Sequence, residues 1–332
     1  MNLAGKKVLV TGGSGFIGSH LTRRLVEEGA QVFVTVKYNS IIDNVRLVSV
    51  WDQIEPLEAD MRNTDSLAKI GDVGPELVYH LAAYNHVGDS FSQVSEAFES
   101  NGSGTVNLME AYDGFDRFVY ISTSEVYGYQ EKVPFRENAT PFPLSPYAVG
   151  KYAGELYARL KWYSANLPVT VIRPFNAFGP YQSARAIIPE TIIKCLRGEE
   201  LATTEGRQTR EFNFVENLVE GFLKAGTIDA AVGEIINIGC GRETQIRDLV
   251  TMIHSLTGSE STLKIGALPD RPGEIRRMSA DNAKARSLLG WEPRVTLEEG
   301  LERTIEWFRS YLAQFGDSES ALARLGTLGE IR

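Results

Sequence analysis

The chain is poor in the residues that tie a protein to metals, disulfides or membranes. It holds two cysteines in 332 residues, Cys195 and Cys240, far apart and in no paired motif. That usage fits a reducing compartment, with a disulfide as the exception to be shown. Its four histidines have no metal-ligand spacing, so no metal is expected. No apolar run approaches the ~20 residues of a membrane helix. The opening residues, MNLAGKKVLVTGG, carry only a short apolar run before glycine, which is not a secretory leader. Positive charge is scarce too: 34 Lys and Arg face 43 Asp and Glu, a net charge of −9. Such a balance argues against nucleic acid or an anionic membrane as partner. A cytoplasmic protein is the expectation. What remains is a hydrophobic fraction of 43%, enough for an ordinary core, on a length that suits one large α/β unit or two domains.

The first motif lies near the start. The apolar run Lys7–Val10 ends in Thr11-Gly-Gly-Ser-Gly-Phe-Ile-Gly18, residues 19–28 have helical spacing, and Gln31–Val36 is a second β-branched run. Strand, glycine turn, helix and strand in that order point to dinucleotide binding. Gly13, Gly15 and Gly18 satisfy the spacing and Gly12 adds a fourth glycine. Glycines let backbone N–H groups approach a pyrophosphate, and the helix N-terminus favours its charge. The expected contacts are Gly12, Gly15, Phe16 and Ile17. An acid for the NAD ribose is missing where the second strand ends: Val36 is followed by Lys37, and no carboxylate comes before Asp43. Lys37 would tolerate a 2′-phosphate, so NAD and NADP both stay open. Asp60-Met61 follows a third strand, with Asp60 placed either for an adenine amine or to cap a helix over 63–70. After the strand 76–81, Leu81, Ala82 and Ala83 offer small neighbours for a cofactor, while His80 and His86 are read as structural.

The stretch Ser122–Lys151 carries the chemistry. A buried strand, Arg117–Ile121, leads to Ser122, Thr123, Ser124 and Glu125, which places them at the carboxyl edge of an open sheet, where ligands bind. Ser145-Pro146 begins a helix, and Tyr147 and Lys151 then share a face one turn apart. A phenol titrates near 10; lowering it by roughly three units needs about 4 kcal/mol of preferential phenolate stabilisation, which an ammonium can help supply. Thr123, Ser124, Glu125, Tyr147 and Lys151 are the catalytic candidates.

Further along, strand and helix alternate: a helix over Glu96–Ala111 with a small polar face (Asn101, Gly102, Gly104, Thr105, Asn107), then a strand over 168–173. The alternation predicts an α/β fold with a doubly wound parallel sheet. Beyond 180 the texture changes. Helices are expected over 187–196, 246–256 and 297–311, short strands over 212–215 and 234–238, and a basic turn at 207–210. Residues 1–175 read as the cofactor-binding domain, completed by part of 210–240, and 176–332 as a smaller, interleaved substrate domain. Arg185, Arg207, Arg210 and Arg271 stand at turns or strand ends there, and as a set they suit a diphosphate.

Together these motifs resemble the extended short-chain dehydrogenase/reductase family, in particular its nucleotide-sugar enzymes. The carriers are TGGSGFIG (11–18), DM (60–61), HLAA (80–83), STSEVYG (122–128), YAVGK (147–151), RPFNAFGP (173–180) and LGWEP (289–293), spread over nearly the whole chain. The resemblance implies a Rossmann-type domain with a smaller C-terminal α/β substrate domain, and NAD or NADP held tightly and recycled. It implies a nucleotide diphosphate sugar as substrate, met by Asn176, Arg185, Arg210 and Arg271. A homodimer is implied through a four-helix bundle built from residues 95–112 and 147–163.

The run Thr123-Ser124-Glu125 is most similar to the GDP-mannose type of sugar-nucleotide 4,6-dehydratase; the glucose-nucleotide type has Asp where Ser124 stands. The stretches Tyr38-Asn39-Ser40 and 179–189 resemble dehydratases acting on nucleotide-linked N-acetylhexosamines. UDP-glucuronate decarboxylases share TSEVYG but place Arg just ahead of the tyrosine, where this chain has Leu144-Ser145-Pro146. Simple 4-epimerases lack the carboxylate of Glu125. The implied reaction is a 4,6-dehydration in which Tyr147 takes the 4-hydroxyl proton, Thr123 and Lys151 assist it, Glu125 removes the C5 proton and Ser124 helps the leaving hydroxyl. The alternatives are a 4-epimerase, a decarboxylase and a non-catalytic cofactor-bound scaffold.

Overall fold

The computed structural model describes residues 1–37, 46–269, 275–316 and 318–325. The expectations placed on Tyr38-Asn39-Ser40, Asp43, Arg271 and the turn over 270–274 lie outside the described residues.

Six strands form in the order of the apolar runs: β1 (Lys7–Thr11), β2 (Gln31–Val36), β3 (Ile54–Glu58), β4 (Leu77–His80), β5 (Arg117–Ile121) and β6 (Val169–Pro174). With the strand Ile235–Ile238 they make one seven-stranded sheet, ordered (235–238)-β6-β5-β4-β1-β2-β3. Every pairing in it is parallel. A parallel sheet is covered on both faces, which is why its strands read as continuous apolar runs rather than alternating ones. β5 is buried along its whole length.

Helices α1 (Phe16–Glu27), α2 (Thr64–Val73), α3 (Val94–Phe98), α4 (Gly104–Ala111) and α5 (Pro146–Ala165) connect these strands. The helix expected over 96–111 forms and runs without a gap from 94 to 111, with a π-helical turn, Glu99–Ser103, between α3 and α4. Asn63, not Asp60, caps α2, accepting from the Asp65 N–H. Beyond β6 come α6 (Ile187–Arg197), α7 (Val215–Thr227), α8 (Ile246–Thr257), α9 (Ala283–Leu289) and α10 (Leu297–Phe315). The sequence pattern passes over α7, which packs on the sheet beside α1. The basic segment at 207–210 is not simply a turn: Thr209–Arg210 is a short strand, antiparallel to Thr244–Gln245. The expected strand over 212–215 shrinks to Asn213–Phe214, paired with Ala177–Phe178.

Two cores flank the sheet, one including Val8, Val10, Ile172, Phe222 and Trp291, the other Leu9, Met61, Phe118 and Tyr120. A separate core lies away from it, with Phe178, Ile192, Phe214, Leu249 and Phe308. The LGWEP stretch serves the first: Trp291 is fully buried and donates its indole N–H to the Asn217 carbonyl of α7 at 2.8 Å.

Candidate active site

The glycine turn after β1 is shaped by contacts no side chain would allow. Gly12 has φ +69, and a Cβ there would lie 2.7 Å from the Ala82 nitrogen; one on Gly18 would lie 2.1 Å from the Gly12 carbonyl oxygen. The end of β1 is thus pressed against the end of β4. Gly15 caps α1 with no side-chain bond and no acid in the first turn, which leaves the first N–H groups of the helix to an anion. A dinucleotide pyrophosphate fits this cradle. Phe16 and Ile17 pack partly against the first sheet core. Thr11 fixes the floor: its hydroxyl meets His80 Nδ1 at 2.7 Å and accepts from the Ala82 N–H at 3.1 Å, while the Leu81 N–H goes to the Thr11 carbonyl. His80 is bound by Thr105 on its other nitrogen, and burial and Lys151 push it down to about 3, so it stays neutral. Leu81, Ala82 and Ala83 are half-buried beside the turn.

At the ends of β2 and β3, Lys37 is exposed and close enough to Asp60 to lower its pKa. Asp60 is forked by Arg62, with contacts of 2.7 and 3.0 Å, and is held at about 2 chiefly by that side chain. Met61 is buried against Gly104 of α4 and its carbonyl accepts from Asn107.

The carboxyl end of β5 turns into a short 3₁₀ helix, Ser124–Tyr127, capped by the Thr123 hydroxyl on the Glu125 N–H at 3.2 Å. Gly128 must follow: with φ +55, a Cβ there would overlap the Phe142 carbonyl oxygen at 1.7 Å. Opposite, α5 starts from Ser145, whose hydroxyl accepts from the Ala148 N–H at 3.1 Å, and Pro146 occupies its first turn. Tyr147 thereby comes close to Thr123, whose hydroxyl favours the phenolate, and lies within the field of Glu125. Burial raises the Glu125 carboxyl above its ordinary value, and Arg210 pulls it back. Thr123, Glu125, Tyr147 and Arg210 are therefore gathered at one place. Arg210 is braced by the carbonyls of Thr209 and Ile275, at 2.8 and 2.7 Å.

Two expectations change here. Ser124 is 2% exposed and its hydroxyl contacts the Met278 sulfur at 3.5 Å, so it is turned into the core rather than toward a leaving group. Lys151 does not depress Tyr147 in this arrangement. Its ammonium lies 4.6 Å from the centroid of the Tyr120 ring, burial lowers it to about 7, and burial pushes Tyr147 up to about 12. Among the described residues, Arg185 forks Asp89, Arg207 is exposed beside Glu205, and Arg210 lies in the field of Glu125. Asn176 is half-buried, and its carbonyl accepts from the Asn213 N–H.

Beneath the site lies a network that the sequence reading misses. Glu155, one turn past Lys151, accepts from Ser122 at 2.7 Å and from one terminal nitrogen and the Nε of Arg173, at 2.5 and 3.1 Å. Glu155 and Arg173 are 0 and 1% exposed. Arg173 stacks on Tyr127, whose hydroxyl reaches Asn237. Helix spacing from Lys151 is the one signal that marked Glu155. Asn101, in the π turn, ties the chain at Tyr84 through both its amide atoms. The small polar face around it packs closely on α5, where Cβ atoms on Gly150 and Gly154 would come within 3.0 and 2.7 Å of Asn101 and Thr105.

Residues 9–304 match the model of the family described as GDP-mannose 4,6 dehydratase. A UDP-glucose 4-epimerase of Mycolicibacterium smegmatis is 34% identical over 92% of this chain and 99% of its own length. A dTDP-D-glucose 4,6-dehydratase of Mus musculus is 33% identical over 96% and 92%. The structure of the Streptomyces venezuelae dTDP-glucose 4,6-dehydratase DesIV, solved with NAD bound, superposes with a TM-score of 0.84 at 30% identity, covering 95% of this chain and 99% of that one. The chain belongs to this family, within the extended short-chain dehydrogenase/reductase group of nucleotide-sugar dehydratases and epimerases.

Proposed function

We propose that the protein is an NAD(P)-dependent nucleotide-sugar 4,6-dehydratase, yielding a 4-keto-6-deoxy sugar nucleotide. The observation that carries this reading is Glu125: a carboxyl with a raised pKa, half-buried, beside the Tyr147–Thr123 pair. A base for a carbon acid works best with a pKa close to the operating pH, and burial moves a carboxyl that way. The dinucleotide would be held by the turn Gly12–Gly18, Leu81–Ala83 and Asp60-Met61, with Lys37 beside the ribose and Lys151 near the nicotinamide side. NAD bound to the DesIV relative supports an NAD-type cofactor. Bound there, an oxidised nicotinamide supplies a hydride acceptor and a positive charge.

Tyr147 takes the proton of the sugar 4-hydroxyl, and Thr123 hydrogen-bonds the same oxygen. The resulting 4-ketone acidifies the C5 hydrogen. Glu125 removes that proton as water leaves from C6, and it can hand the proton to the departing hydroxyl. The hydride lost from C4 would be held on the bound nicotinamide and returned to C6, with a proton delivered to C5, so the sugar ends with no net redox change. Arg210, Asn176 and Arg185 are the candidates for the nucleotide and diphosphate, Arg185 by exchanging Asp89 for a phosphate. The core around Phe178 and Leu249 is the substrate-binding unit. Exposed Val94, Phe98, Val149, Leu156, Leu160 and Tyr163 on α3 and α5 support a homodimer through these helices.

The second reading is 4-epimerisation, favoured by relatives that carry that name. It needs Tyr147 and Thr123 but no base at C5. Incubation with UDP-, GDP-, dTDP- and CDP-hexoses and N-acetylhexosamines separates the two. A product lighter by one water is expected, and Glu125→Gln should slow its formation by about 10²–10⁴-fold with substrate binding retained. A product of unchanged mass and altered NMR spectrum would make the protein an epimerase and remove the role of Glu125.

A further inference from the structure

Next to Arg210 in sequence, Glu211 is a carboxylate 1% exposed. Among the described residues no cation pairs with it. Instead it gathers N–H groups from separate segments: Gly241 at 3.2 Å and Ala280 at 2.7 Å on one oxygen, and the Asn213 amide at 3.1 Å on the other. Gly239 leaves it room, since a Cβ there would lie 2.0 Å from the carboxylate. Asn213 is itself fixed, accepting from the Cys240 N–H at 2.6 Å, so its amide cannot turn to suit a different neighbour.

The segment 275–280 is where this matters. It touches the site three times. The Ile275 carbonyl braces Arg210, the Met278 sulfur takes the Ser124 hydroxyl, and the Ala280 N–H binds Glu211. Thr209 adds a fourth tie, its N–H donating to the Arg276 carbonyl. Successive residues of an extended strand point to opposite sides, so Arg210 faces Glu125 while Glu211 faces inward. Burial pushes this carboxyl up to about 7, and the donors that fill its oxygens pull it back; a glutamine there keeps one acceptor oxygen for the two backbone N–H groups but sets its own NH2 against the Asn213 amide.

We propose that Glu211 is a positioning residue for substrate binding: by clamping the strand 209–213, the loop 239–241 and the segment 275–280 together, it sets the Arg210 guanidinium at the height where a nucleoside diphosphate is held. Its action on the ligand runs entirely through Arg210. This rests on reading the site as one for nucleotide sugars.

The test is calorimetric titration of UDP, dTDP and GDP, with the matching monophosphates, into wild type, Glu211→Gln and Glu211→Asp, together with NAD titration. Failure of every diphosphate to bind wild type would sink the functional reading itself. Given one that binds, Glu211→Gln is expected to weaken it at least tenfold, with monophosphate and NAD affinities within twofold of wild type. Glu211→Asp, which keeps the charge but draws it back by one methylene, should fall between. In turnover, KM should rise by more than kcat falls. Diphosphate affinity unchanged in the variants would overturn the proposal. So would equal weakening of mono- and diphosphate, which signals general loosening, or failure of both variants to fold, which would make Glu211 a support of the core alone.

Discussion

Replacing Arg173 by Met should destabilise the protein by about 4 kcal/mol at pH 7, because it strands a carboxylate with no exposed surface. Once the two guanidinium donors are gone, the Ser122 hydroxyl is the hydrogen-bond donor that Glu155 keeps among the described residues. Breaking a buried pair from one side costs about 3–5 kcal/mol. Urea unfolding of wild type and variant at pH 7 measures it. Glu155→Leu combined with Arg173→Met removes both charges and leaves the Ser122 hydroxyl and the Glu137 carbonyl without these partners, a loss of about 1–3 kcal/mol. A single-variant defect below about 1 kcal/mol, or one no larger than that of the double variant, would refute the stranded-charge reasoning.

Other changes test other levels. Gly18→Ala drives a methyl into the Gly12 carbonyl oxygen, 2.1 Å from the added carbon, so NAD affinity measured by calorimetry should fall at least tenfold. Gly128→Ala adds a methyl 1.7 Å from the Phe142 carbonyl oxygen at a φ of +55; soluble yield and melting temperature should drop sharply, whereas Gly71→Ala, in open space, should not lower them. Leu160→Glu, on the half-exposed outer face of α5, should give a monomer by light scattering. Asp60, lowered from 3.8 to about 2 by the Arg62 fork, contributes stability that is present above about pH 4 and lost as pH falls toward 2. After screening it is worth roughly 1 kcal/mol, and Arg62→Ala should remove that acid-limb dependence in thermal melts.

What could be read from the chain alone was local. β1, β2, β4 and β5 are continuous apolar runs because both of their faces are covered. Tyr147 and Lys151 are one helical turn apart, so their common face follows from spacing. α7 escaped notice although Glu216, Glu220 and Lys224 mark one partly exposed face at helical spacing, because its buried opening, Val215, continues the apolar run that reads as a strand over 212–215. The partners of the arginines were illegible for a different reason: Arg185 meets Asp89 and Arg173 meets Glu155 only after distant elements are brought side by side. Glu211 gave no hint either, since nothing in a linear pattern separates a buried anion held by backbone N–H groups from a solvated one. Ser124 looked catalytic by its neighbours, and the 3₁₀ turn pointed it the other way.

The bare seam on α5 has a mechanical meaning. Gly150 and Gly154 repeat at the same interval as Tyr147 and Lys151, three residues later along one helix, and they seat against backbone, Asn101, Thr105 and the Tyr120 hydroxyl with almost no clearance. Such a fit works like a key in its slot: the rod can neither roll nor slide without colliding. The angle at which the phenol is presented is therefore indexed by residues that never approach a ligand. Bulk added to that seam would spoil turnover by rotating the helix, while every group that performs the chemistry stayed in the chain.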